Sequence, residues 1–90
     1  MGVRAHLHQT HRQFAKGLAV VEVEGNTVRE CLNHLIKQFP DMEKRLFQKE
    51  GNLLNGVEIY VNLKSAYPDE LAMPVKDGDE IHITLMLAGG

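Results

Sequence analysis

Apolar and polar residues alternate at the start of the chain, and a period of two is typical of a half-buried β-strand. Residues 3–7 follow this pattern, with Arg4 and His6 on the polar side of the strand. Residues 18–24 predict a second strand, and the polar loop of residues 9–17 would join the two as an antiparallel hairpin. The side chains expected to face inward from the second strand are Ala19, Val21 and Val23.

Two later segments show the same alternation. Residues 57–63 predict the clearest strand of the chain, and residues 80–87 predict the last one, after a turn over residues 76–79. Residues 64–75 contain two prolines and predict an irregular segment with a brief edge strand over residues 71–75. The expected inward positions of the two long strands are Val57, Ile59, Val61, Leu63, Ile81, Ile83, Leu85 and Leu87.

A helical period replaces the alternation after Thr27 and predicts a helix with one apolar side. Thr27 and Glu30 have the spacing of a capping box, in which side chains satisfy free N–H groups at the helix start, and Pro40 ends the helix. Residues 41–50 predict a short second helix capped by Asp41. The apolar stripe of the first helix consists of Val28, Cys31, Leu32, Leu35, Ile36 and Phe39.

One long helix with one apolar side, and strands with one apolar face each, favour a mixed sheet with the helix packed across it. If the first and last strands pair at the centre of the sheet, they run parallel, because the connection through the helix is long enough. The sequence therefore predicts an α+β protein of the β-grasp type, with about four or five strands and one main helix.

The composition limits the possible partners. The chain has 90 residues, 43% hydrophobic and 24% charged, with a formal net charge of −2. This length predicts one domain over residues 1–88. Lysine and arginine are scattered, which argues against nucleic acid as a partner. The sequence shows neither a membrane span nor a secretion leader, and its single cysteine, Cys31, favours the reducing cytoplasm.

Residues 89–90 are a glycine pair and are expected to form a flexible C-terminal tail. Glycine has no Cβ, so such a tail can enter a narrow channel in a partner protein. Terminal fraying or a cloning scar is the plainer interpretation of the pair taken alone.

Four blocks of the sequence precede this pair: residues 3–7, 27–32, 59–62 and 76–83. In this order, with the glycine pair after them, they resemble the ubiquitin-like sulfur-carrier family. The family includes the small subunit of molybdopterin synthase, the thiamin-thiazole sulfur carrier and the carrier that feeds sulfur to cysteine synthesis. The resemblance covers nearly the whole chain.

In that family an E1-like enzyme uses ATP to adenylate the terminal glycine carboxylate. A sulfur donor then converts this group to a thiocarboxylate, and the sulfur passes to an acceptor synthase. The resemblance implies that Gly90 carries the sulfur and that Gly89 forms the slim approach to the partner's site. It also implies a protein co-substrate without a bound cofactor rather than an enzyme. The sequence agrees, since it shows no Gly-rich phosphate loop.

The acceptor pathway is less well defined. Residues 85–88 lack the proline-containing stretch of many molybdopterin-synthase subunits, and residues 58–62 and 88–90 are closer to the cysteine-synthesis carrier. Two alternatives stay open at this point. One is a protein modifier that forms an isopeptide bond to lysine through Gly90, and the other is a passive β-grasp binding domain.

The residues expected to contact an E1-like partner lie near the tail or on exposed apolar positions. Met86 belongs to the outward side of the last strand, and methionine adapts to irregular surfaces. Phe47 and Tyr60 are similar candidates, and Leu87 and Ala88 lead directly into the glycines. Ordinary packing is an equally good interpretation of the large side chains.

His6, His8 and His11 have an H-x-H-x-x-H spacing that suggests a zinc hypothesis, and His82 would lie nearby if the first and last strands are neighbours. We expect no metal site, because no carboxylate or cysteine nearby completes it, and solvated sheet positions are the simpler interpretation. A milder hypothesis is that these histidines make pH-sensitive partner contacts. Cys31 lies in the apolar stripe, which predicts a small buried residue rather than a nucleophile.

Overall fold

The structure is a computed structural model that describes residues 2–85. Its strands are β1 (Val3–Leu7), β2 (Val20–Val23), β3 (Val57–Val61), β4 (Lys64–Ser65) and β5 (Glu80–Leu85). Its helices are α1 (Val28–Gln38) and the short α2 (Glu43–Leu46), with 3-10 turns at Arg12–Ala15, Pro40–Met42 and Glu70–Ala72. None of the helices in this described part is both long enough and apolar enough to cross a membrane.

The strands form one five-stranded mixed sheet in the order β2-β1-β5-β3-β4. β1 pairs antiparallel with β2 and parallel with β5, and β5 pairs antiparallel with β3. The predicted central pairing of the first and last strands is therefore confirmed. β5 is bonded to a neighbour on each side, as β1 and β3 are, and it occupies the central position of the five strands.

Helix α1 begins with the predicted cap. The Glu30 N–H donates to Thr27 Oγ1 at 3.2 Å, and Glu30 Oε1 accepts a hydrogen bond from the Asn26 N–H at 2.7 Å. The glutamate thus reaches one residue beyond the Thr27 cap. The helix ends at Gln38, directly before Phe39 and Pro40, as the restriction on residues preceding proline requires.

The core lies between α1 and one face of the sheet. Its largest fully buried side chains are Leu32, Leu35, Met42, Leu46, Ile59, Ile81, Ile83, Val3, Val23, Val28 and Cys31. Each buried aliphatic side chain of this size contributes about 1.5–3 kcal/mol relative to its exposed state. Ile36, Phe39, Val61 and Leu85 pack against this cluster while partly exposed.

The second helix is much shorter than predicted. It ends at Leu46, Phe47 is extended and forms a bridge with Leu53, and the chain bonds locally from Gln48 to Asn52. Gly51 has φ +92°, a conformation that glycine adopts without strain and that allows this tight loop. The predicted cap at Asp41 is wrong, since Asp41 lies inside the 3-10 turn Pro40–Met42, and α2 begins after Met42 without a side-chain cap hydrogen bond.

The strand predicted over residues 57–63 ends at Val61, because Asn62 and Leu63 have φ values of 50° and 70°. These two residues turn the chain into β4, which the sequence analysis did not predict. Leu63 is consequently 78% exposed, so its predicted inward position is wrong. The Asn62 side chain fixes the turn by donating to Asp79 Oδ1 and accepting from the Glu80 N–H, each with a donor–acceptor distance of 3.0 Å.

Two smaller predictions also differ from the structure. The edge strand expected over residues 71–75 is replaced by the 3-10 turn Glu70–Ala72 and a single bridge between Pro74 and Thr27. The second strand starts at Val20 rather than at residue 18, so Ala19 is exposed instead of facing inward. Both cases lie where the chain enters or leaves the sheet, where local patterns carry least information.

Candidate functional site at the end of the last strand

Strand β5 leads toward the predicted tail from the centre of the sheet. Its last described residue is Leu85, which pairs with Val57 of β3 and packs partly against the core. The predicted site residues Gly89, Gly90, Met86, Leu87 and Ala88 lie outside the described residues. The described part therefore defines the base from which these five residues continue.

The two other predicted contact residues lie in different environments. Phe47 is half-buried, packs against the core and forms the bridge with Leu53. Tyr60 is half-buried on the face of the sheet away from α1, and its hydroxyl donates to Glu58 Oε1 at 3.4 Å. Tyr60 pairs with His82, so it lies beside β5 rather than at the end of the strand. Their roles in partner binding stay predictions.

A cleft of about 340 Å³ opens beside the end of β5; we call it the tail groove. Its lining combines apolar and cationic side chains: Thr10, His11, Gln13, Phe14, Lys44, Arg45, Leu54 and Leu85. The Arg45 guanidinium lies 4.3 Å from the centre of the Phe14 ring, a cation–π contact that holds the cation at the groove. Sequence reasoning missed this groove because its residues come from separated segments.

His11 is the buried titratable residue of the tail groove. It is only 3% exposed, and among the described residues its Nδ1 has no hydrogen-bond partner. Burial lowers its pKa, and the charges of His8 and Arg45 lower it further. The neutral imidazole is therefore the favoured form in the folded protein.

The face of the sheet away from α1, which we call the open face, carries two of the histidines considered as metal ligands in the sequence analysis, His6 and His82. His6 of β1 and His82 of β5 are register partners, and their rings stack with centroids 4.2 Å apart. His6 Nε2 lies 2.6 Å from Glu80 Oε1, and His82 Nε2 lies 4.0 Å from the same oxygen. The expectation that no carboxylate lies near these histidines is wrong, because residues that alternate along β5 share one face.

The charges around Glu80 favour its ionised form. The hydrogen bond from His6 and the nearby Arg4 guanidinium hold the pKa of the Glu80 carboxyl below its usual value. Arg4 Nη2 donates to the other oxygen, Oε2, at 3.0 Å. Burial lowers the pKa of His82, the neighbouring His6 lowers it further, and Glu80 opposes both effects. His8 and His11 lie outside this cluster, so the spacing in sequence did not predict its members.

Cys31 is a free thiol in the core, as predicted. It is fully buried, and this burial together with the charge of Glu30 raises its pKa to about 11. A thiol with so high a pKa is almost entirely protonated at neutral pH, and the thiolate is the nucleophilic form. Its position therefore agrees with a packing role.

The fold and the base of the tail define a class of protein. A mixed five-stranded sheet with parallel central strands and one helix across it is the β-grasp, ubiquitin-like fold, and the predicted fold class is confirmed. The chain belongs to the ThiS family, whose sequence pattern it matches over residues 6–90. The predicted resemblance to ubiquitin-like sulfur carriers is confirmed, and this membership makes the chain a protein co-substrate rather than an enzyme.

Solved structures of high similarity agree with this family. A chain in the crystal structure of the Amycolatopsis orientalis BexX/CysO complex is 29% identical, with a TM-score of 0.89 over 99% of this chain and 100% of that chain. CysO of Mycobacterium tuberculosis, described as an antigen, is 25% identical, with a TM-score of 0.87 over 96% and 100% of the two chains. Small archaeal modifier protein 1 of Methanosarcina acetivorans is 25% identical, with a TM-score of 0.84 over 98% and 95%.

A curated relative is much longer than this chain. The mitochondrial medium-chain acyl-CoA ligase ACSF2 of Danio rerio is 28% identical over 68 residues, which are 76% of this chain and 11% of the ligase. The chain thus spans about a tenth of the length of that relative.

Proposed function

We propose that this protein is a sulfur carrier whose Gly90 carboxylate is adenylated by an E1-like enzyme and then converted to a thiocarboxylate. The observation that carries the proposal is the match to the ThiS family, which extends through the glycine pair to residue 90. A carboxylate is a poor electrophile until one oxygen becomes a good leaving group, and adenylation by ATP supplies that group. The carrier itself supplies a positioned terminus.

The central position of β5 supports this role. An activating enzyme must hold the carboxylate close to ATP, and a tail that continues from a strand bonded on both sides starts from a well-fixed point. The glycines after it have no side chains to hinder entry into a narrow active site. We infer that Gly89 provides this slim approach and that residues 86–88 contact the partner.

The partners we propose are an E1-like adenylating enzyme, a sulfur-donor protein and an acceptor synthase. The BexX/CysO complex supports association with a second protein. Likeness to two CysO structures supports the branch that the ending favours, in which the sulfur goes to cysteine synthesis. We place this reaction in the cytoplasm, where a free thiol such as Cys31 stays reduced.

Intact mass measurement tests the proposal directly. The protein is incubated with an E1-like enzyme of the same source, ATP and sulfide, which displaces AMP from the adenylate without a change of oxidation state. We expect a mass increase equal to the replacement of one oxygen by sulfur, located on Gly90 by fragmentation, and no increase without ATP. Gly90→Ala and removal of residues 89–90 should abolish the increase while leaving the circular dichroism spectrum unchanged. An unmodified wild-type chain under conditions that modify a known carrier contradicts the proposal.

A second candidate function is that of a protein modifier. The likeness to small archaeal modifier protein 1, at a TM-score of 0.84, favours it. In this case the activated Gly90 forms an isopeptide bond with a lysine of another protein. Expression of a tagged chain in its host, followed by mass spectrometry of tagged conjugates, distinguishes the two roles. Conjugates that disappear with Gly90→Ala support the modifier. Full biological activity without residues 89–90 supports a passive binding domain and contradicts both proposals.

A further inference from the structure

Three side chains with metal-binding groups meet on the open face, at the start of β5. His6, Glu80 and His82 each present one ligand atom, and these atoms all lie within 4.8 Å of one another. The three residues come from the two parallel central strands, so the sheet itself fixes their spacing. The cluster lies at the beginning of β5, whereas the proposed sulfur site follows its end.

We propose that His6, Glu80 and His82 form a binding site for a divalent transition metal ion of the zinc class. Two imidazoles and one carboxylate are the ligand set that zinc uses in many catalytic sites, where a fourth position stays open to water or another molecule. Imidazole also suits nickel and copper, so the ligands define a class of ions rather than one metal.

The distances fit such an ion after small side-chain rotations. Ligands bound to zinc at about 2.0–2.2 Å lie about 3.4 Å apart in a tetrahedron. The present separations from Glu80 Oε1 are 2.6 Å to His6 Nε2 and 4.0 Å to His82 Nε2, on either side of this value. His6 and His82 are 31% and 30% exposed at the side chain, so their stacked rings have room to turn toward a common point.

The hydrogen bonds around Glu80 prepare this arrangement. Arg4 holds Oε2, which directs Oε1 toward the two histidines. In the empty site the His6 Nε2–H donates to Oε1, and binding requires His6 to carry its proton on Nδ1 so that the Nε2 lone pair faces the ion. Arg4 is 61% exposed at its side chain and is free to move from the carboxylate as a cation enters.

Titration of the untagged full-length protein with Co²⁺ and Zn²⁺ tests the site. Co²⁺ is the spectroscopic probe, since four-coordinate cobalt absorbs visible light much more strongly than six-coordinate cobalt. We expect one saturable equivalent per chain, competed by Zn²⁺. His6→Gln and His82→Gln should each weaken Zn²⁺ binding by more than about 100-fold, beyond the effect typical of residues that only orient a ligand. His8→Gln is the matched control, because it removes a neighbouring imidazole outside the cluster and should change the affinity less than about threefold.

Imidazole ¹⁵N resonances of the wild-type protein give a second measurement that does not depend on variants folding. Zn²⁺ should shift the ring nitrogens of His6 and His82 and leave those of His34 in place. The absence of a saturable equivalent overturns the proposal. Binding that survives the His6→Gln/His82→Gln double variant, or zinc-dependent shifts confined to other histidines, overturns it equally.

Discussion

At the scale of single residues, His11 combines burial with a polar atom that is left without a partner in the described part of the protein. It is 3% exposed, and its Nδ1 has no partner there. Leaving a buried polar group unsatisfied costs about 1–3 kcal/mol, and adding a proton would place a charge beside Arg45 and His8, with Lys44 lining the same groove. Stability near neutral pH therefore depends on keeping this imidazole neutral.

The first prediction concerns the pH dependence of stability. The pKa of His11 is lowered in the folded protein, so the unfolded chain binds a proton first as the pH falls through about 6.5. The free energy of unfolding should then decrease until the folded imidazole is protonated as well. His11→Gln cannot titrate and should show a smaller decrease when urea unfolding is compared at about pH 7.5 and pH 5.5.

Two other histidines serve as references for this measurement. His8→Gln should keep most of the decrease, because burial lowers the pKa of His11 more than the charge of His8 does. Part of the decrease should survive in His11→Gln, since burial also lowers the pKa of His82. Identical pH profiles for the wild-type protein and His11→Gln would contradict this account of His11.

At the scale of elements, the N-terminus of α1 shows how one side chain sets a boundary. Thr27 Oγ1 accepts from the Glu30 N–H, and the backbone on either side of Thr27 is hydrogen-bonded to the segment before β5. The Val28 N–H donates to the Met73 carbonyl and the Val75 N–H donates to the Asn26 carbonyl, each with an N···O distance of 2.9 Å. The cap thus fixes the helix start at the point where it contacts the rest of the protein.

The second prediction tests this cap. Thr27→Ala removes the acceptor but leaves the backbone bonds, and the free energy of unfolding should fall by about 1 kcal/mol. Thr27→Ser keeps a hydroxyl oxygen at the same position and should lose clearly less. Chemical denaturation with a common m-value measures both. Equal losses for alanine and serine would show that the methyl group of Thr27, not its oxygen, is what stabilises the helix start.

The elements predicted from the sequence are those whose two faces differ strongly. β1, the helix α1 and the start of β3 follow apolar periodicity because one side of each packs against the core. β4 was not predicted because its two residues, Lys64 and Ser65, are both exposed and show no apolar alternation. Their pairing depends on the turn at Asn62 and Leu63. The predicted second helix was too long, because the backbone hydrogen bonds of the loop around Gly51 replace helical ones there and leave no periodic signal in the sequence.

At the scale of the whole molecule, the order of strands brings distant residues together. The parallel pairing of β1 and β5 sets His6 beside His82, which the sequence suggested once the two strands were assumed to be neighbours. The approach of Glu80 to His6 and the tail groove were not predicted, because these contacts join separate segments of the chain and follow from tertiary packing. The sulfur-bearing role predicted for Gly90 comes from the family resemblance, because no local physical pattern distinguishes a terminal glycine pair from an ordinary chain end.

This arrangement leaves two different surfaces beside β5. The open face carries Tyr60 and His82 next to the strand, and the tail groove carries Arg45 and Phe14 near Leu85. A partner that receives residues 86–90 must approach the end of β5, where the tail groove lies. Complementary charge at such a contact speeds association and favours one orientation. We therefore expect the activating enzyme to present an acidic or polar rim to Arg45.

The third prediction reverses this charge. Arg45→Glu should raise the concentration of carrier needed for half-maximal thiocarboxylation by about tenfold or more, since like charges at a docked rim oppose association. The rate at saturating carrier should change much less, because the tail and its carboxyl group are intact.

Lys37→Glu makes the same charge change on exposed α1, outside the tail groove, and is the matched control. Thermal denaturation of both variants checks that loss of the Arg45–Phe14 contact has not unfolded the groove. If the carrier concentration needed for half-maximal thiocarboxylation rises equally in the two variants, overall charge rather than the tail groove governs association. An unchanged dependence in Arg45→Glu would place the partner on the open face, where Tyr60→Ala would then be the variant that weakens binding.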